Sequence, residues 1–233
     1  MRGMFLSDKH LKSLAINHKL VEPFDETACE GATINLTLDK QVKKNVFTEK
    51  WIMGNEITDS HYETIDISEK DYFLKPNESV LVQSYEYFNI PNDMIGVIFE
   101  RYSIKLLGLV VSPASYMNPG YEGRLSFLVT NHSSSPIQLM AGVKFCQLAI
   151  AELSSEADRP YLKQDAKYLG SKDVHISKLH LDKEIQEYMK EKGLGEISEY
   201  DARKLGKHLL EQMDENAERY VELIRKEVEK LNE

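Results

Sequence analysis

Cysteine is scarce: Cys29 and Cys146 stand alone and far apart in 233 residues, with no metal-ligand spacing. That excludes a disulfide framework and favours a reduced, cytoplasmic setting. Long apolar runs are absent too. Nothing approaches the ~20 residues of a membrane span, and the opening Met1–Asp8 lacks an apolar core with a cleavage site, so no signal peptide is read. Positive charge is in deficit, with 29 Lys and Arg against 38 Asp and Glu, a net −9 at pH 7. The chain is therefore a poor match for a nucleic-acid polymer, although a pocket for a phosphorylated ligand needs only a few local cations. The seven histidines show no ligand spacing, and no metal site is expected; surface roles are read for His132 and His175.

What is present is globular material, 42% hydrophobic, enough for one well-buried domain and an appendage. Ser7 is placed to cap a short helix with Leu11, Leu14 and Ala15 on one side. Ala32–Leu38, Pro76–Val82, Tyr85–Ile90, Met94–Phe99, Ile137–Leu139 and Phe145–Leu153 read as strands, and Ser103–Leu109 as a short helix or turn. Lys43–Lys75 reads as polar and irregular, anchored by the sole tryptophan, Trp51. Many short strands punctuated by Gly, Pro and Asn point to a sandwich or barrel.

Alternation is clearest in Gly123–Asn131, where Leu125, Phe127 and Val129 interleave with Arg124, Ser126, Leu128 and Thr130. Period two marks a half-buried strand. Leu128 thus falls on the face whose other members are polar. The strand follows a tight turn, Asn118–Gly123, whose glycines accept positive φ or a close ligand.

Toward the C-terminus, Lys183–Lys192 reads as a short helix stopped at Gly193, and Ser198 as the cap of a long helix through Leu231. Leu205, Leu209, Met213, Ala217, Tyr220, Ile224, Val228 and Leu231 recur every three or four residues. Such a stripe wants a partner: its own domain, a neighbouring subunit, or another protein docking on residues 199–231.

The run Met117-Asn-Pro-Gly-Tyr-Glu-Gly-Arg-Leu-Ser-Phe-Leu-Val-Thr-Asn131 resembles the nucleotide-pocket hairpin of the dCTP deaminase/dUTPase family, closest to its deaminase branch. Further matches run in order over residues 4–182: Leu6-Ser-Asp8, Glu22-Pro-Phe-Asp25, Ala32-Thr-Ile-Asn-Leu36, Tyr85–Asp93, and Ala141–Leu148 with its Gly-x-x-x-x-Gln-Leu pattern. Arg159-Pro-Tyr161 and Asp165–Gly170 resemble the segment that closes over nucleotide in the deaminase branch. The resemblance implies a mainly β fold, a dUTPase-like antiparallel barrel or jelly roll. Residues 1–182 would form the nucleotide-binding domain, with a helical extension over 183–233. It further implies a homotrimer with pockets at subunit boundaries. No zinc is expected; Mg2+ is compatible with a bound nucleoside triphosphate.

Site residues follow from the same resemblance. Arg101 and Ser103 match the phosphate motif, and a guanidinium fork and a hydroxyl suit phosphate oxygens. Tyr102 stands where the motif has Ser, Glu100 where it has Gly, and Leu106 where it has a second Arg. Tyr121 is the aromatic of the turn, Gln147 the glutamine of the Gln-Leu strand, and Tyr161, Lys167 and Ser171 lie in the closing segment. Arg101 could equally make a structural ion pair, Asn118 a plain turn, and Lys167 a solvated cation.

Two positions depart where the family keeps carboxylates: Asn118 for the Asp and Leu128 for the catalytic Glu. An amide still hydrogen-bonds but is no base, and an alkyl chain moves no protons. The favoured expectation is a nucleotide-binding protein that senses or sequesters rather than catalyses. One alternative is an active dCTP deaminase or dUTP diphosphatase with a rearranged site, rescued by Glu100 or Glu122. Another is a trimeric scaffold presenting the C-terminal helix.

Overall fold

The computed structural model describes residues 5–112 and 116–194, together with Lys207, Val221 and Arg225 singly. Those three apart, the long helix expected from Ser198 to Leu231 lies outside the described residues.

Helix α1 (Asp8–His18) is followed by β1 (Val21–Glu22), β2 (Cys29–Glu30), β3 (Thr33–Thr37) and β4 (Gln41–Asn45). Next come β5 (Tyr62–Asp66), β6 (Tyr72–Leu74), β7 (Ser79–Gln83), β8 (Tyr87–Asn89) and β9 (Met94–Glu100). Helix α2 (Tyr102–Leu106) leads to β10 (Leu109–Val111), β11 (Tyr116–Met117), β12 (Glu122–Gly123) and β13 (Ser126–Asn131). Then follow β14 (Ile137–Leu139), β15 (Lys144–Glu152) and helix α3 (Lys183–Lys192).

Two five-stranded antiparallel sheets carry the mainly β fold, in the orders β10-β13-β7-β4-β5 and β11-β9-β15-β3-β2. Each has free edges, so the sheets stay open where a barrel would close. Their inner faces meet in one core. Val42, Val80, Val82, Phe127 and Val129 come from the first sheet, and Ile34, Leu36, Ile98, Phe145 and Leu148 from the second. The Phe127 ring meets Phe145 edge-on at 5.2 Å, joining the sheets through the geometry aromatic quadrupoles prefer. Burying such side chains is worth ~1.5–3 kcal/mol each.

The alternation of β13 appears as expected: Phe127 and Val129 are buried and Leu128 is 46% exposed. Helix α1 begins after Ser7, whose backbone is extended although its hydroxyl makes no capping bond. Leu11 and Ala15 are buried, with α1 lying on β2 and β3.

Lys43–Lys75 is more regular than its composition suggests, since it contains β5 and β6. β5 pairs with β4 from Gln41↔Asp66 to Asn45↔Tyr62 and is the edge of its sheet. An edge strand meets solvent along one side, so polar residues suit it and mask its period. Trp51 is 39% exposed.

Contacts divide the chain into two compact units, Met1–Lys50 with Ile57–Lys178, and Trp51–Glu56 with Leu179–Glu233. In the second, α3 ends at Gly193 in the left-handed conformation (φ 63°), the usual glycine stop. No helix among the described residues is long and apolar enough to cross a membrane.

Candidate functional site

The Asn118–Gly123 turn is tightly built. Tyr121 N–H donates to the Asn118 carbonyl at 3.0 Å, and Gly120 N–H to that of Ile90 at 3.0 Å. Gly120 has φ +74°, and a Cβ there would lie 2.7 Å from Asn92 Oδ1, so glycine is required.

The closing segment docks on this turn. Tyr161 N–H donates to the Pro119 carbonyl at 2.7 Å, Gly170 N–H to Glu122 at 2.8 Å, and Arg124 N–H to Ser171 at 2.9 Å. Tyr121 and Tyr161 rings come within 5.5 Å. The Tyr121 hydroxyl donates to the Arg124 carbonyl at 2.7 Å, and burial pushes its phenol well above the ordinary range. Three expected site residues, Tyr121, Tyr161 and Ser171, are thus brought together around one hairpin.

A charged cluster secures the arrangement. Arg124 Nη1 lies 3.0 Å from Asp39 Oδ2, and Gln83 Nε2 donates to the same oxygen at 2.6 Å and to the Lys172 carbonyl at 3.2 Å. The Arg124 guanidinium sits 5.6 Å above the Tyr85 ring. Arg124→Ala should lower the unfolding free energy by about 2 kcal/mol, because the Asp39 carboxylate keeps Gln83 but loses its cation. Urea denaturation checks this; a change within the ~0.5 kcal/mol of an ordinary surface pair would show the cluster to be incidental. Beside it, both Glu86 carboxylate oxygens accept from Thr37 N–H at 3.0 Å, and burial raises that carboxyl's pKa.

Beyond Ser171 the segment crosses the outer face of the first sheet. Val174 N–H donates to Gln41 Oε1 at 3.2 Å, and His175 N–H to Ser126 Oγ at 2.7 Å. The His175 ring stacks on Tyr168 at 4.9 Å and 19°. Lys167 and Lys178 exchange side chains: Lys167 Nζ donates to the Lys178 carbonyl at 3.4 Å, and Lys178 Nζ to that of Lys167 at 2.8 Å. Burial, then the charges of Lys178 and Lys43, holds the imidazole down at about 4, so it is neutral at pH 7. Its Nε2 is buried without a hydrogen-bond partner. The surface role expected for His175 is therefore corrected: the closing segment folds it onto the sheet.

On that face Leu128 stands opposite Leu81 of β7, and Leu81 opposite Lys43 of β4. Lys43 is only 7% exposed and pairs with Asp59.

The phosphate-motif residues lie at the junction of β9 and α2. Arg101 precedes the helix, its N–H donating to the Phe145 carbonyl at 3.0 Å and its Nη1 to that of Lys144 at 3.3 Å. Tyr102 is 73% exposed and Ser103 is also exposed. Glu100 is paired with Lys105 at 2.7 Å, which offsets the carboxylate's charge near these residues. Gln147 Nε2 donates to Thr33 Oγ1 at 3.3 Å, and Asn118 Oδ1 accepts from the Tyr116 hydroxyl at 3.0 Å. Within one chain, then, the hairpin cluster and the Arg101 group hold to different elements. Among the described residues no three His, Cys, Asp or Glu side chains converge as metal ligands.

The sequence gives no sign of Asp39 or Gln83 at this cluster, and it leaves His175 on the surface. Nothing in spacing brings Asp39 to Arg124, 85 positions away. The signal available was Arg124 itself, a cation at the start of a half-buried strand.

A family model described as dCTP deaminase-like matches residues 5–153. A dUMP-forming dCTP deaminase from Dictyoglomus turgidum is 31% identical over 192 residues, covering 77% of this chain and 96% of the relative. A dCTP deaminase from Haloarcula marismortui is 30% identical over 191 residues, covering 78% and 98%. The crystal structure of 2'-deoxycytidine 5'-triphosphate deaminase from Agrobacterium tumefaciens is similar with a TM-score of 0.52 and 16% identity, over 64% of this chain and 47% of that one. At that identity the likeness concerns the fold alone.

Proposed function

The chain belongs to the dCTP deaminase-like family, and from that premise we propose a nucleotide-binding protein with impaired deaminase chemistry, a sensor or sequestering agent for a pyrimidine nucleoside triphosphate. One observation carries the reading: the outward position where the family resemblance places a catalytic Glu holds the alkyl chain of Leu128, opposite Leu81. Neither side chain accepts or releases a proton. Cations for phosphate remain at Arg101 and Lys167, beside the hydroxyl of Ser103.

Because the Arg101 group and the hairpin cluster hold to different elements, the complete pocket is read as shared between copies in a homotrimer, with residues 183–233 as a helical extension. A Mg2+ ion would arrive with the ligand's phosphates, since among the described residues no cluster of His, Cys, Asp or Glu offers it a cage. Two buried free thiols, Cys29 and Cys146, suit a reduced cytoplasmic setting.

Calorimetry with dCTP and dUTP in the presence of Mg2+ tests the reading. Binding is expected, weakened about tenfold by Arg101→Ala or Lys167→Ala, the loss of roughly one charge-assisted hydrogen bond. No heat with either nucleotide would overturn it.

A further inference from the structure

We propose that His175 is a ligand-binding residue of the face that carries Leu128, its Nε2 making with the bound nucleotide the hydrogen bond that no protein atom supplies. The inference rests on the nucleotide-binding reading above and assigns to the same site a residue outside the motif matches.

The first ground is the orphaned atom. Nε2 of His175 is buried and lacks a partner, whereas the large majority of buried side-chain polar atoms in folded proteins have one. A group left unmatched in the free chain is what a ligand can complete.

The second ground is preorganisation. The residue is pinned through its backbone by the 2.7 Å bond to Ser126 Oγ and through its ring by the Tyr168 stack. Tyr168 is itself held, its hydroxyl accepting from Lys178 N–H at 2.9 Å and its ring lying 5.4 Å from Lys178 Nζ. A side chain fixed on both sides loses little freedom on binding.

The third ground is placement. Ser126 and Leu128 are two residues apart on one strand and so project from the same face. The row Leu128–Leu81–Lys43 crosses that face, and the charges of Lys43 and Lys178 both act on the imidazole. Lys43 is already paired with Asp59, so Lys178 is the cation beside the neutral ring that favours an anionic ligand carrying polar ring edges. A neutral imidazole nitrogen accepts or donates according to tautomer, so it can meet either the carbonyl or the amino edge of a pyrimidine. Nucleotide chemistry supplies both the anion and the edge.

The test uses the full chain, histidine-labelled with nitrogen-15, titrated with dCTP and Mg2+ and followed at the imidazole nitrogens. Calorimetry on His175→Phe, which keeps a ring for the Tyr168 stack and removes Nε2, accompanies it. The proposal expects the His175 Nε2 resonance to move on dCTP addition and His175→Phe to bind dCTP about tenfold more weakly, with an unchanged circular dichroism spectrum. An unmoved resonance together with undiminished binding by His175→Phe would overturn the role of His175 and leave the nucleotide-binding reading standing. Absence of dCTP heat in the unmodified chain would overturn both. A shift that saturates with inorganic triphosphate as fully as with dCTP would overturn the base contact, since phosphate alone would then account for it.

Discussion

Incubated with dCTP, the chain is expected to release uracil nucleotide at least ~10²-fold more slowly than a relative that keeps a carboxylate at the position of Leu128. Deamination at C4 asks for both protons of the attacking water to be moved, one to the ring nitrogen and one to the departing ammonia. A positioned acid–base group commonly supplies ~10²–10⁴-fold to such transfers. Leu128 faces outward from β13 across from Leu81, so neither the residue nor its cross-strand neighbour ionises. Leu128→Glu is the complementary experiment. The position is half-exposed, so folding should tolerate the charge, and turnover is expected to rise. Chromatography for dUTP, dUMP and ammonia reads both results. Turnover by the unmodified chain at the rate of an active relative would sink the impaired-enzyme reading, and would point to another ionisable group on that face, His175 first.

Stability should fall as pH drops from about 6.5 to about 4, by up to roughly 3 kcal/mol, because of one imidazole. The unfolded chain takes up a proton on His175 near its ordinary value of 6.5, while in the folded chain burial and the lysine charges delay uptake to about 4. Within that window the unfolded state holds more protons, so acid favours unfolding; below it the effect levels off. Glu86 works in the opposite sense. Burial raises its folded pKa, so the unfolded chain gives up this proton first and stability is lost as pH rises above 4.5. Asp66, lowered to about 2 chiefly by the Ser68 hydroxyl, loses its contribution only as pH falls from 3.8 toward 2. His175→Phe isolates the imidazole by subtraction. Urea midpoints across the window should slope for the unmodified chain and flatten in the variant, and parallel slopes would remove His175 as the cause.

Much of the fold could be read in advance, and the reason differs by element. β13 betrayed itself because one face is buried and the other is not, which imprints period two on its residues. Helix α3 was bounded by the glycine that stops it. β5 escaped because an edge strand tolerates polar residues such as Glu63 and Thr64 on both faces. For the candidate site, local motifs pointed to Arg101, Tyr121, Lys167 and Leu128, and of the expected residues the fold brings Tyr121 to Tyr161 and Ser171. The Asp39–Gln83–Arg124 cluster was invisible because Asp39 lies 44 and 85 positions from its partners.

The order of residues alone determined the class of the fold, the family, and the chemical poverty of position 128, since each depends on side-chain identity and local period. Tertiary structure decided what surrounds that position. It brought the closing segment across the outer face, set His175 against Ser126 and Tyr168, and left Nε2 without a partner. A side chain's protonation and hydrogen bonding depend on burial and on neighbours distant in sequence, and only folding brings those neighbours within reach.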